Sequence, residues 1–232
     1  MGGHATLNLG LHNGDDEGAV RENFARFCAA AGFEVDAVVF SNQVHGIDVA
    51  EVVVPLGNMR RLDTPADGLM TGNAQVALAT YYADCVPLLF FDPIKGVVAN
   101  SHAGWRGVVG NMAGQTVKAM QSRFASGPKD ILVGIGPSIC TACFQVDKDV
   151  AKNFQKNLSF SSKFVYNSES NTSKYHIDLW GICRESLVLA GIVHENIEIA
   201  GICTCCNPDL FFSHRRTNVP RGNMLAVIGR AS

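Results

Sequence analysis

Two histidines and a cysteine, His45, Cys85 and His102, stand in the stretches SNQVHG, ADCVP and SHAGWRG, each at or just past the end of an apolar, strand-like run. Two neutral imidazoles and a thiolate suit Zn²⁺, and three protein ligands leave the fourth tetrahedral position to water or substrate, as at a catalytic rather than a structural zinc. The metal would in turn keep the thiol deprotonated. Separations of 40 and 17 residues match no short metal motif. Pattern alone therefore also allows a metal-free nucleophile built on Cys85 and His102, or residues that serve only packing.

Arg106 follows Trp105 and precedes a glycine at the expected start of a helix. Exposed amides, the positive end of the helix and a forked guanidinium suit a phosphate or carboxylate, the alternative being an arginine that pairs on the surface. A second basic element, FFSHRR, brings His214, Arg215 and Arg216 after Phe211 and Phe212, and could stack on and pair with a ring-bearing anionic or sugar-containing ligand or form a solvated loop. Asp67 and Asp84 are the carboxylates expected near the histidines, to orient an imidazole or act as a general base, with a turn role the other reading of Asp67. Cys140 and Cys143 form a C-x-x-C pair, and Cys203, Cys205 and Cys206 crowd into CTCCN. A four-cysteine zinc site is not expected there, because adjacent cysteines cannot easily point at one ion and no second well-spaced pair is apparent. Local packing is the expectation.

The elements that must hold these residues read as alternating helices and strands. A helix over Asp15–Ala31 should bury Val20, Phe24, Phe27 and Cys28 and end at Gly32. AVVF, QVALATYY, VPLLFFD, GVVANSHAG, DILVGI, ENIEIAG and NMLAVIGR read as strands, the third and fourth paired across the turn PIKG. GVVGNMAGQTVKAMQSRFAS, DKDVAKNFQKNL and IDLWGICRESLVLAG read as helices, and the serine-rich SFSSKFVYNSESNTSKYH as a surface loop or weak hairpin. The fold class is mixed α/β in a single domain over residues 1–232, and no Gly-x-Gly-x-x-Gly or Walker pattern supports a doubly wound nucleotide fold.

With 47% hydrophobic and 17% charged residues and a net charge of −2, neither disorder nor a broad grip on nucleic acid is expected. A small-molecule partner fits better. No apolar run is long enough to span a bilayer and no signal segment opens the sequence, so a cytoplasmic enzyme with free thiols is expected. Cys28 and Cys183 read as small buried hydrophobes.

LNLGLHNGDD, SNQVHG, ADGLMT, ADCVPLLFFDP, SHAGWRG, GIGPSICTACFQV, CT and FFSHRR occur in the order in which they occur in the YfiH family, described as multicopper polyphenol oxidase or laccase-like. The resemblance covers nearly the whole chain. It implies a layered α/β/β/α fold similar to that of a cysteine-dependent deamidating toxin (the cytotoxic-necrotizing-factor type). The implied activity is that of a purine nucleoside phosphorylase acting on adenosine, inosine and methylthioadenosine, which also deaminates adenosine. Carried over residue by residue, it gives His45, Cys85 and His102 as metal ligands. Cys85, His102 and Arg106 become catalytic, and Arg106, Phe212 and Arg215 bind the nucleoside and phosphate. Zinc is the expected metal and copper the alternative, since phosphorolysis and deamination need no redox change. The alternatives are a copper-dependent polyphenol oxidase, or a cysteine hydrolase that edits peptidoglycan precursors.

The chain departs from the family pattern at three places. A Thr-Arg pair ordinarily precedes the glycines that stand here as Gly2-Gly3, Tyr-Glu is replaced by Phe144-Gln145, and the usual TGR near the end reads VPRGN. Arg221 is the candidate to stand in for the last of these arginines.

Overall fold

The computed structural model describes residues 7–11, 13–57, 59–169, 171, 173–217 and 221–230. The Gly2-Gly3 start therefore lies outside the described residues. The elements are α1 (Glu17–Ala31), β1 (Val38–Phe40), β2 (Val49–Glu51), β3 (Gly68–Thr71), β4 (Ala77–Tyr82), β5 (Val86–Asp92) and β6 (Val97–Ala103). They continue with α2 (Trp105–Val109), α3 (Met112–Phe124), β7 (Leu132–Ile135), β8 (Gln145–Asp147), α4 (Lys148–Asn157), β9 (Val165–Asn167), β10 (Lys174–Ile177), α5 (Leu179–Leu189), β11 (Ile197–Ile199) and β12 (Met224–Ile228).

α1 starts two residues later than the sequence suggests because Asp16 caps it, its carboxylate accepting from the Ala19 amide at 2.8 Å. Gly32 closes it in the left-handed region at φ 75°. Val20, Phe24 and Cys28 are its buried face, while Phe27 is only half-buried. The expected long helix after SHAGWRG is broken into α2 and α3. Asn111 makes the break: its backbone is left-handed at φ 61°, and its side chain accepts from the Gly114 amide to start α3 afresh.

A six-stranded sheet, in the order β11-β7-β5-β6-β3-β2, forms the middle of the molecule. Its central pairs are antiparallel and its two outer pairs parallel, which sets it apart from a doubly wound sheet. The β5–β6 hairpin turns where expected, with Asp92 Oδ1 accepting from the amides of Ile94 and Lys95. β1, β4 and β12 form a second sheet, and the serine-rich segment forms the β9–β10 hairpin on β8. β2, β3 and β8 go unread in the sequence, being only three or four residues long.

The layers run α/β/β/α. α1 packs on the small sheet through Phe24 and Cys28 against Phe40, Ala77 and Ala79. Val39 and Leu78 on the other face of that sheet meet Leu69 and Val98 of the large one. Beyond the large sheet, Leu88, Phe90 and Ala99 pack on Met112, Val117, Met120, Ile182 and Leu187 of α3 and α5. Each of the fully buried large side chains contributes about 2 kcal/mol of transfer free energy. No helix among the described residues is long and apolar enough to cross a membrane.

Strand β6 carries the transition from core to site. Its alternate residues Val97, Ala99 and Ala103 face the α3 and α5 layer, whereas Val98 enters the space between the sheets. Asn100 shares that inter-sheet space, its Nδ2 donating to the carbonyls of Leu78 and Ala226 at 2.9 and 2.8 Å and its Oδ1 accepting from Thr80 at 2.7 Å. His102 follows two residues later. Thus one face of a single strand passes from apolar, to a polar clamp across both sheets, to a reactive imidazole. Asn100→Ala should cost about 3 kcal/mol, because it removes from a buried space the donor to two carbonyls and an acceptor of the Thr80 hydroxyl. Urea unfolding of the variant beside the native protein measures this, and a change below about 1 kcal/mol would contradict the clamp.

Candidate active site

Asp67 organises the centre of the site. Its fully buried carboxylate accepts from four donors: the amides of Val44 (2.9 Å), His45 (3.0 Å) and Gly46 (2.7 Å), and Nδ1 of His102 (2.8 Å). These contacts fold the SNQVHG loop onto the end of β6. Burial alone would raise this carboxyl, but the bonds from His102, Val44 and Gly46 outweigh it and hold Asp67 below its ordinary value. With Nδ1 turned to Asp67, His102 directs Nε2 toward Cys85, where on losing its proton it can offer a lone pair to a metal.

His45, Cys85 and His102 meet, their donor atoms lying within 4.8 Å of one another. The two imidazoles stand edge to face, 4.9 Å between ring centroids. Burial pushes the Cys85 thiol up, yet hydrogen bonds to His102 and His45 and their charge bring it down to about 6. Burial likewise pulls His102 down, and the bonds to Asp67 and Cys85 overcome this and raise it to about 9. A softened thiol between two imidazoles, one fixed by a carboxylate, fits a divalent ion with an open position. The backbone is bent to this purpose at two residues, His45 at φ 60° and Asp84 at φ 87°. Gly104 permits the approach: a Cβ there would stand 2.8 Å from His45 Cδ2 and 3.3 Å from Cys85 Sγ.

Asp84, beside Cys85, accepts from Thr204 Oγ1 (2.6 Å), Ser213 Oγ (3.0 Å) and the Arg215 amide (2.6 Å). Both carboxylates expected as candidate bases are thus already committed to protein donors. Asp67 orients the histidine, and Asp84 ties FFSHRR to the site.

Two clefts meet at His45 and Cys85. One, of about 260 Å³, is lined by Phe40, Gln43, Arg61, Tyr81, His102 and Arg221. The other, of about 350 Å³, is lined by Asp84, Trp105, Arg106, Phe144, His214 and Arg215. The Arg106 guanidinium lies over the Trp105 ring, 4.3 Å from its centroid, and no ion pair reaches it among the described residues. α2 is only five residues long, so its dipole adds little to an anion site there and the guanidinium is the main positive group. Arg215 binds the carbonyls of Cys143 and Gln145 at 2.9 and 2.8 Å, which orients its charge at the cleft wall.

Phe212 lines neither cleft. Its ring covers Gly222, where any Cβ would collide with it, and the aromatic wall of the second cleft comes instead from Phe144 and Trp105. Arg221, the candidate to stand in for an arginine of the family pattern, lines the first cleft. It bonds Asn223 Oδ1 at 2.6 Å, and burial draws it below its ordinary value against the charges of Asp84 and Cys85. Sequence reading missed Gln43, Arg61 and the stacked Phe40–Tyr81 pair, whose centroids are 5.2 Å apart. Position in SNQVHG was the available signal for Gln43; nothing local marked Arg61.

The expectation against a four-cysteine cluster is overturned. Cys140, Cys143, Cys203 and Cys206 bring their sulfurs within 4.8 Å of one another. Cys203 and Cys206 form a second C-x-x-C, and by leaving Cys205 aside the cluster avoids the adjacent-pair geometry that argued against it. Cys28 and Cys183 behave as buried hydrophobes, their thiols pushed by burial to about 11 and about 12.

The profile of a family described as multi-copper polyphenol oxidoreductase laccase matches residues 1–231. The chain is 40% identical over 234 residues to purine nucleoside phosphorylase YlmD of Geobacillus stearothermophilus, across 99% of this chain and 85% of that one. It is 32% identical over 232 residues to adenosine deaminase RL5 of an unknown prokaryotic organism, across 98% and 88%. The crystal structure of the Bacillus licheniformis hypothetical protein YfiH superposes with a TM-score of 0.92 at 33% identity, covering 99% of this chain and 87% of that one.

Asp67→Asn should destabilise the fold by about 3 kcal/mol, since an amide nitrogen must face backbone N–H groups that now meet an oxygen. The native carboxylate's contribution is present above the ordinary carboxylate range and is lost as pH falls through its lowered native value. Urea titrations of both proteins across acid pH would show the difference shrinking as pH falls. Gly104→Ala should displace His45 and raise the Cys85 thiol above about 6 in chelator-treated protein. The pH profile of Cys85 alkylation reads this, and an unchanged midpoint would refute the contact.

Proposed function

The chain belongs to the multi-copper polyphenol oxidoreductase laccase family, and from that premise we propose that it is a zinc-dependent purine nucleoside phosphorylase that also deaminates adenosine. The observation that carries this reading is the meeting of His45, Cys85 and His102 where two clefts join, beside Arg106, which makes no ion pair among the described residues. The names of the relatives supply the substrate class, a purine nucleoside. Adenosine, inosine and methylthioadenosine are the proposed substrates.

His45 Nε2 or Nδ1, Cys85 Sγ and His102 Nε2 would hold the ion, which supplies Lewis acidity at that point. Zinc is preferred to copper because neither reaction changes an oxidation state. Arg106 binds phosphate, its guanidinium resting over the Trp105 ring 4.3 Å from the centroid and its forked N–H groups available to two oxygens. In phosphorolysis a phosphate oxygen attacks C1′ of the ribose as the bond to the purine nitrogen breaks, and the purine leaves with that electron pair. Trp105 and Phe144 offer apolar faces to a ring, and Arg215 and His214 add positive charge and a donor near it. In deamination water replaces the amino group at the purine C6 and ammonia leaves. Asp67 acts there through His102, and Asp84 holds the wall, as positioning residues.

Oxidation of phenols, the activity in the family's description, is the competing reading. The donor sets among the described residues are one His₂Cys set and one Cys₄ set, and a lone three-ligand copper is poorly equipped for four-electron reduction of dioxygen. The test incubates adenosine with and without phosphate. Adenine should form only with phosphate, inosine in either case, and both should disappear after chelation or in His102→Ala. Arg106→Ala should lower kcat/KM for phosphorolysis about 10- to 100-fold, the loss of a charged hydrogen bond, and spare deamination. Oxygen uptake with copper and a phenol, in the absence of either purine product, would overturn the proposal.

A further inference from the structure

A second cluster of side chains able to ligate a metal lies outside the site just described. The loop after β7 contributes Cys140 and Cys143, and the segment after β11 contributes Cys203 and Cys206. Backbone pairing brings these segments together: the Ser138 amide donates to the Ile202 carbonyl at 3.1 Å, and the Thr204 amide to the Ser138 carbonyl at 3.2 Å. Each pair of cysteines has two residues between its members. In the first pair the chain turns tightly, with the amides of Cys143 and Phe144 donating to the Cys140 carbonyl at 3.1 and 2.9 Å.

All four sulfurs lie within 4.8 Å of one another, and Cys143 Sγ and Cys206 Sγ are 3.4 Å apart. A tetrahedron with Zn–S bonds near 2.3 Å has edges of roughly 3.8 Å, so the spread suits an ion at the centre. The Cys140 amide already donates to Cys203 Sγ at 3.3 Å, the kind of bond that stabilises a ligating thiolate. Packing alone does not account for the cluster, because Cys206 is exposed and only Cys203 is buried. Four thiolates and one divalent ion leave a net charge of −2, and cations stand by to offset it. Arg216 donates to the Cys205 carbonyl at 2.8 Å, and Arg215 to the Cys143 carbonyl.

We propose that Cys140, Cys143, Cys203 and Cys206 bind a structural Zn²⁺, which fastens the two segments that wall the second cleft. The fastened segments carry Ile139, Phe144, His214 and Arg215 into that cleft, and Thr204 from the same knot bonds Asp84 beside Cys85. With four protein sulfurs the coordination sphere is closed, so this ion takes no part in turnover. Only the link from this knot to the cleft rests on the proposed phosphorylase reading; the metal centre itself does not.

The experiment counts zinc per chain in protein purified under reducing conditions, for the native chain, for Cys143→Ser with Cys206→Ser, and for His45→Ala with His102→Ala. Each double variant should lose a different single equivalent. Cobalt-grown native protein should show the intense thiolate-to-cobalt charge transfer and strong visible bands of a tetrathiolate, and the histidine variant should keep them. If the histidine variant loses nothing while the serine variant loses one equivalent, the enzymatic reading fails and the structural centre stands. Equal zinc in the serine variant and the native chain overturns the centre, as does a Cys143–Cys206 disulfide found by mass spectrometry of freshly isolated, unreduced protein. Should the serine variant not fold, the cobalt spectrum decides, and lack of tetrathiolate bands overturns the proposal.

Discussion

One buried carboxylate governs the geometry of the reactive residues. Asp67 has four acceptor positions and four donors, so it leaves no lone pair to spare and no freedom to swing. Three donors are consecutive amides of the loop that presents His45, and the fourth is the imidazole of His102 on another strand. A charge removed from water is tolerated only when it is so completely met. The arrangement converts that cost into orientation: the loop cannot relax without stranding an anion, and the histidine cannot turn without the same penalty. The left-handed backbone of His45 is one strain that this bonding holds in place.

Asp84 repeats the logic on the other side of Cys85 with different partners. It gathers a threonine, a serine and an amide from segments more than a hundred residues away in sequence. The thiol therefore sits between two fixed carboxylates, one ordering the imidazoles and the other ordering the basic segment. Local sequence alternation supplies the rest, since β6 needs only to remain a strand for His102 to emerge on the same face as Asn100.

What the sequence disclosed, and what it hid, follows the range of the interactions. His45, Cys85 and His102 stood out as reactive residue types beside apolar runs; His45 lies in the loop between β1 and β2, Cys85 between β4 and β5, and His102 near the end of β6, so their meeting joins both sheets. The β5–β6 hairpin was legible from its turn, and the buried stripe of α1 from its period, apart from Phe27, whose position at the edge of the stripe periodicity does not resolve. The break at Asn111 was hidden because a left-handed asparagine looks like any other polar residue inside a helical run. Phe212 misled since an aromatic beside arginines suggests a ligand face, whereas its ring is needed over Gly222. The cysteine cluster was misread because the eye groups Cys205 with Cys206, while the chain groups Cys203 with Cys206. Arg61 and Arg221 could not be placed in the first cleft without knowing how the small sheet lies over the large one.

His45 and Cys85 line both clefts, and so act as a party wall between two chambers. Enlarging either residue to suit an occupant on one side must narrow the other, so neither can be tuned for one chamber alone. Adaptation to new substrates is thereby channelled to side chains that belong to a single chamber, such as Phe40 and Arg61 on one side or Trp105 and Phe144 on the other. The wall can stay invariant while the rooms are refurnished.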